Sequence, residues 1–245
     1  MIDPIEAFKK ETVDRIEANS VNAALKKTAH DFNTESNKAQ YSYNFTWMGR
    51  PIIQYPQDII AMQELIWEVK PDLIIETGIA HGGSIIFYAS VLELIGHGEV
   101  LGIDIDIREH NRREIEKHPM FKRITMIEGS SISPDVVNKV AALAENKKKI
   151  LVSLDSNHTH EHVLSELRSY APFVTKGSYM VVFDTIVEDL PEGYFSQKRP
   201  WGISNNPKTA IDEFLSSQDQ FEVQKSIDNK LLISVAPGGY LKRVK

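Results

Sequence analysis

The chain predicts an α/β fold: a doubly wound, seven-stranded, mostly parallel sheet closed by a carboxy-terminal antiparallel hairpin, behind a helical amino-terminal extension. Three observations predict it. Short apolar runs recur over 72–76, 99–104, 123–127, 150–154 and 178–183, and segments of helical length follow them. A glycine-rich turn, Gly78-Ile79-Ala80-His81-Gly82-Gly83-Ser84, joins the first run to its helix. The last two runs, 221–227 and 230–236, are separated only by Asp228-Asn229, which suits a tight hairpin turn. Five βα units and a hairpin make seven strands.

Each element has a local cause. Asp3 caps a helix whose first turn holds Pro4 and which runs to about residue 19; a second short helix covers 21–30. Tyr41, Tyr43, Phe45 and Trp47 then alternate ahead of Gly49-Arg50-Pro51, the pattern of a short edge strand or equally of an ordered lid loop. From Pro56 a helix carries Ile59, Met62, Ile66 and Val69 as an apolar stripe. Further helices fit 83–95, 109–118, 134–145, 161–171 and 207–217. The stretch 185–206 is too long for a simple connector and falls where ligands bind in such sheets, so a functional role is expected of it. These readings divide the chain into an arm and substrate-side segment, 1–55, and a main domain, 56–245.

With 245 residues, 42% hydrophobic and 25% charged, the chain suits one large soluble domain. A formal charge of −6, with Lys147-Lys148-Lys149 the longest basic run, argues against nucleic acid as the main partner. The absence of cysteine excludes disulfide and thiol chemistry. The amino terminus lacks the basic start and apolar run of a signal peptide, and no apolar stretch approaches the roughly 20 residues that span a bilayer. The expectation is a cytoplasmic protein without membrane insertion, forming a homo-oligomer.

Glycines at a strand-to-helix turn let a ligand approach the backbone, and Asp104, closing the next strand, can bind both hydroxyls of a ribose. A nucleoside-bearing cofactor is therefore expected at the carboxyl edge of the sheet. The same glycines would also serve a tight turn and helix packing alone. The dinucleotide fingerprint Gly-x-Gly-x-x-Gly is absent. Glu76-x-Gly78-x-x-x-Gly82-Gly83-Ser84 instead resembles the first motif of S-adenosylmethionine-dependent methyltransferases. That resemblance implies that Gly78 and Gly82 make room for the amino-acid end of the cofactor. It also implies that Ser130 and Ser131, after the third strand, line the adenine.

The fourth strand ends in Asp155-Ser156-Asn157-His158 and the fifth in Phe183-Asp184-Thr185. Neighbouring strands would bring Asp155 and Asp184 to one edge of the sheet, where two carboxylates repel unless a cation or proton intervenes. Mg2+ suits such an oxygen site; it would bind a substrate hydroxyl, lower its pKa and aim it at the reacting carbon. His158, three residues past Asp155, is the expected general base, since an imidazole titrates near neutrality. His158, His160 and His162 share one face of an extended segment, so a zinc or iron site is the rival reading. Against it, the segment is expected to turn helical after Thr159.

At this point the chain resembles the family of cephalosporin hydroxylase and rhamnosyl O-methyltransferases. The resemblance runs from about Phe45 to the carboxyl terminus. It rests on Trp47-Met48-Gly49-Arg50-Pro51-Ile52, Glu76-Thr77-Gly78 with Gly82-Gly83-Ser84, Gly102-Ile103-Asp104-Ile105-Asp106, Asp155-Ser156-Asn157-His158 and Gly177-Ser178-Tyr179. It implies the class I methyltransferase fold. It also implies Mg2+ held by an aspartate after the fourth strand and an acidic pair after the fifth. Asp155 matches the first and Asp184 the second of the pair, but Phe183 falls where the other acid would be, leaving the vacancy to Thr185 or water.

Trp47 and Arg50 before the fold, and Tyr194, Phe195, Arg199, Trp201, Asn205 and Asn206 after Asp184, are the expected substrate side, with Trp47, Arg50, Trp201 and Asn205 foremost. Aromatic rings stack on sugar faces, and Asn or Arg bond to hydroxyls; packing of the cover to the core would use the same rings. The reading is a Mg2+-assisted, S-adenosylmethionine-dependent O-methyltransferase acting on a sugar, glycan or other polyhydroxylated small molecule. The alternatives are an NAD-dependent oxidoreductase and a non-catalytic cofactor-binding member of the fold.

Overall fold

A computed structural model describes residues 3–194 and 199–245. Two helices lead the chain. Asp3 accepts from the Ile5 amide to start α1 (Pro4–Val21), and Asn22 ends it while accepting from the Leu25 amide to start α2 (Ala23–Lys38). α1 buries none of its residues, whereas α2 buries Ala29, Asn33 and Ser36. The arm docks through polar contacts: Asn19 donates to the Asn229 carbonyl and Asn33 to that of Ser234. α2 outruns its expected end at residue 30 because Ser36 and Asn37 bond to the Tyr55 hydroxyl, holding the last turns in place.

Of the alternating aromatics only Trp47 falls in a strand, a short one, while Tyr41 and Tyr43 lie in a turn before it. A 3-10 turn, Tyr41–Asn44, precedes a minimal hairpin of β1 (Thr46–Trp47) and β2 (Arg50–Pro51). Tyr41 packs against Phe32, Phe45 and Tyr55. α3 (Pro56–Val69) follows and buries Ile59, Met62, Ile66 and Val69, the predicted stripe.

The main sheet contains β3 (Leu73–Thr77), β4 (Glu99–Asp104), β5 (Ile124–Glu128), β6 (Ile150–Leu154), β7 (Tyr179–Val182), β8 (Phe221–Val223) and β9 (Tyr240–Arg243). Its order is β5-β4-β3-β6-β7-β9-β8, parallel except that β9 runs antiparallel to both neighbours. α4 (Gly83–Ile95) joins α3 on one face; α6 (Pro134–Ala144), α7 (His160–Tyr170) and α8 (Pro207–Ser216) cover the other. α5 (Glu109–Glu116) links β4 to β5. Central β3 and β6 are buried throughout, as strands covered on both faces must be. The chain builds outward from β3 to β5 and then crosses to β6, so the crevice between β3 and β6 is the switch point where such sheets bind ligands.

The closing hairpin needs correcting. An antiparallel pair does end the sheet, but Asp228 and Asn229 lie inside α9 (Lys225–Leu231), and the last strand is Tyr240–Arg243 rather than 230–236. Tertiary contacts override the local pattern. Leu231, Val235 and Ala236 are buried in the core beside α3. The buried Asp58 carboxylate accepts from Ser234 Oγ (2.6 Å), the Val235 amide (2.9 Å) and Tyr240 Oη (2.7 Å), pinning the loop that the pattern reads as a strand.

Candidate active site

β3 ends at Thr77, and Gly78 turns the chain with φ +93°. A Cβ on Gly78 would stand 2.0 Å from the Asp155 carbonyl oxygen, so only glycine lets this turn rest on the loop after β6. A Cβ on Gly83 would meet the Pro51 carbonyl oxygen at 2.1 Å, and one on Gly82 would meet Ile115 of α5 at 2.5 Å. The close approaches are thus to protein. Gly78, Gly83 and Ser84 also border a cavity of about 1120 Å³ that opens over the switch point.

Two acids brace the turn. Glu76 is fully buried beneath it, and its Oε2 accepts from Ser84 Oγ at 2.6 Å. Burial pushes the Glu76 carboxyl up to about 8, against the opposing pull of the Ser84 hydrogen bond. Asp104, at the end of β4, accepts from the Ile79 and Ala80 amides through Oδ2 (2.8 and 3.1 Å) and from the Asp106 amide through Oδ1 (3.1 Å). It borders the cavity, and a carboxylate has about four lone-pair sites, so acceptor capacity remains for a ligand.

Across the crevice, one donor atom each from Asp155, His158 and Asp184 falls within 4.8 Å of the others. His158 Nε2 lies 3.1 Å from Asp184 Oδ2, and its ring meets Trp201 edge-on at 4.8 Å. Asp184, two residues past β7, takes a left-handed conformation (φ 57°) and starts the 3-10 turn Thr185–Asp189. Burial, then the nearby Asp184, Glu76 and Glu166, lifts the Asp155 carboxyl well above the usual carboxylate range. Acids crowded in this way, beside an imidazole, fit a divalent cation, whose charge would offset the repulsion.

The other two histidines diverge. His160 bonds to Thr209 Oγ1 and Glu213, and His162 Nε2 faces Ser131, Ser156 and Glu166. A three-histidine zinc or iron site is therefore not formed. The helix beginning at His160 turns successive side chains apart. Phe183 is buried in the apolar core, and Thr185 donates its hydroxyl to the Pro237 carbonyl.

Several expected residues stand away from the cavity lining. Trp47 donates to Ser90 Oγ and packs on Phe87; Arg50 bonds to the His81 carbonyl and to Asn111 Oδ1. Ser131 joins His162 and Tyr170, and the Ser130 carbonyl accepts from the Ser133 amide. Asn205 holds the His160 amide and the Pro200 carbonyl, while Asn206 caps α8. Trp201, Tyr194 and Arg199 do border the cavity, with the Arg199 guanidinium over the Trp201 ring. Phe195 lies outside the described residues. Sequence reasoning missed Gln54, Asn111 and Ser156, all cavity-lining. Gln54 stands two residues past the tryptophan-containing motif of the resemblance, the one local signal that pointed near it.

This sheet order, with a glycine turn after β3 and an acid closing β4, defines the class I methyltransferase fold. The chain belongs to the rhamnosyl O-methyltransferase/CmcI family, whose model matches residues 39–244. It is 31% identical over 209 residues to the rhamnosyl O-methyltransferase of Mycobacterium tuberculosis (strain ATCC 25618 / H37Rv), covering 81% of this chain and 78% of that protein. To the protein of the same name from Mycobacterium leprae (strain TN) it is 33% identical over 148 residues, 60% of this chain and 62% of that one. Solved structures share the fold. The apo form of CmcI superposes with a TM-score of 0.59 at 18% identity, over 83% of this chain and 77% of that one. CmcI with Mg and SAM gives 0.56 at 18% identity, over 83% and 78%.

No helix among the described residues is long and apolar enough to cross a membrane.

Proposed function

We propose that this protein is an S-adenosylmethionine-dependent, Mg2+-assisted O-methyltransferase that acts on a hydroxyl of a sugar or glycosylated acceptor. The observation that carries the reading is the convergence of Asp155, His158 and Asp184 on a cavity that also runs along Gly78 and Asp104. Relatives named rhamnosyl O-methyltransferase support the sugar, and the CmcI structure with Mg and SAM supports the pair of cofactors. When bound, these cofactors supply an electrophilic methyl group and a Lewis acid that makes a hydroxyl easier to deprotonate.

The chain's own residues do the rest. Asp104 accepts from the ribose hydroxyls, while the turn it braces flanks the donor. Asp155 and Asp184 hold the cation. With Nε2–H donated to Asp184, His158 keeps Nδ1 free to take the acceptor's proton. Trp201 and Tyr194 cover the acceptor and keep water from the sulfonium. The segment 1–55 acts as the arm that closes the substrate side, through Gln54 and Tyr43 on the cavity wall. Apolar side chains exposed along α1, Ile5, Phe8 and Val13, support self-association.

Incubating the protein with labelled S-adenosylmethionine, Mg2+ and rhamnosyl glycosides, with and without EDTA, tests the reading; label transfer that EDTA abolishes is the expected result. Thermal stabilisation by NAD but not by S-adenosylhomocysteine would overturn it in favour of an oxidoreductase. Cofactor binding with neither label transfer nor Mg2+ or Mn2+ binding would leave a non-catalytic member of the fold.

A further inference from the structure

Among the described residues, several buried side-chain polar atoms lack a hydrogen-bond partner, but just one of the residues that own them lines the active-site cavity: Gln54. Both its Oε1 and its Nε2 are orphaned, and the residue is only 2% exposed. A buried amide without partners is destabilising, a cost an apolar side chain here would avoid. Such a group calls for an explanation, and a cation bound beside it is a recognised one.

Its place is held from both sides. The Ile52 amide donates to the Phe45 carbonyl, Pro51 is pressed against Gly83, and the hydroxyl of buried Tyr55 bonds to Ser36 and Asn37. The backbone thus brings the Gln54 carboxamide to the wall of the same cavity that Asp155, His158 and Asp184 line, and it bears on the Asp155 carboxyl. The cluster is short of oxygen donors. The end of β7 supplies Asp184 alone, because Phe183 is buried in the core and the Thr185 hydroxyl is turned to Pro237. Mg2+ takes six ligands, all oxygens by preference, and a Gln carbonyl is a suitable one for a hard cation.

We propose that Gln54 is a ligand of the divalent-cation site, its side-chain carbonyl oxygen joining Asp155 and Asp184. This rests on the metal-assisted reading above. It explains why an uncharged residue with two hydrogen-bonding atoms is buried at this position: the amide oxygen adds a donor without adding a third negative charge to two crowded carboxylates.

The test is Mn2+ titration followed by electron paramagnetic resonance, with Mg2+ competition, on wild type, Gln54→Leu and Gln54→Glu, each with its melting temperature in EDTA. Gln54→Leu is expected to lose about tenfold or more in Mn2+ affinity. In EDTA it should melt no lower than wild type, since an orphaned amide is gone. Gln54→Glu keeps an oxygen and adds charge, so it should bind Mn2+ at least as tightly as wild type. Equal affinity in wild type and Gln54→Leu would overturn the ligand role. So would a loss in Gln54→Glu as large as in Gln54→Leu, which would mean that the amide N–H is what matters. Wild type that binds no Mn2+ at all would instead refute the metal-assisted reading beneath it.

Discussion

His158 Nε2 sits 3.1 Å from Asp184 Oδ2, so the proposed base and a proposed cation ligand are tied to each other before any ligand arrives. The contact fixes the imidazole and selects the tautomer whose Nδ1 is free. His158→Ala is expected to lower kcat by about 10²- to 10⁴-fold, the usual worth of a positioned base. The dissociation constant for S-adenosylhomocysteine, read by calorimetry, should stay at the wild-type value. A fully active variant would clear His158 of this role.

Asp104 has two tasks, since the carboxylate that faces the cavity also ties down the Ile79 and Ala80 amides. Asp104→Ala should weaken S-adenosylhomocysteine binding about tenfold or more, as befits the loss of charged hydrogen bonds worth about 1.5–3 kcal/mol. Hydrogen exchange at Ile79 and Ala80 should quicken in the same variant. Unchanged affinity with faster exchange would reduce Asp104 to a turn brace.

At Gly78, the Asp155 carbonyl lies where a Cβ would be, and φ is positive. Gly78→Ala should cost more than about 2 kcal/mol in urea unfolding, because overlap with backbone adds to the left-handed strain. It should also weaken Mn2+ binding, since the loop that must retreat carries Asp155. A variant as stable as wild type would mean that the two loops are not packed as described.

Glu76 carries a pH dependence. Its carboxyl titrates near 8 when folded but near the ordinary 4.5 when unfolded. Between those values the folded state keeps a proton that the unfolded state has released. The resulting stability is fully present below pH 4.5 and is lost as pH rises through 8, with a slope of at most about 1.4 kcal/mol per pH unit. Urea midpoints of wild type should therefore fall across this window relative to those of Glu76→Gln, which stays neutral. Parallel profiles would show that Glu76 is ionised in the fold.

Where apolar period and capping agreed with the tertiary environment, the sequence was a sufficient guide. The helix over Gly83–Ile95 and the strands Glu99–Asp104 and Ile150–Leu154 fall at the expected bounds. Asp155, His158 and Asp184 were legible because parallel strands deliver their carboxyl ends to one edge. Trp47 and Arg50 read equally well as substrate residues, yet their polar atoms are turned to Ser90, His81 and Asn111. No local pattern distinguishes those outcomes. Gln54 was invisible for the converse reason, since a lone glutamine before a helix carries no signal until its burial is known.

The order of apolar runs, glycines and strand-end acids was enough to determine a doubly wound sheet, the crevice over its switch point and the acids at its rim. Periodicity and turn chemistry act over a few residues and survive in any packing. The fate of 224–239, the dispersal of the three histidines and the orphaned amide at Gln54 were decided only in three dimensions. They depend on which partner, near or far in the chain, satisfies a buried polar group.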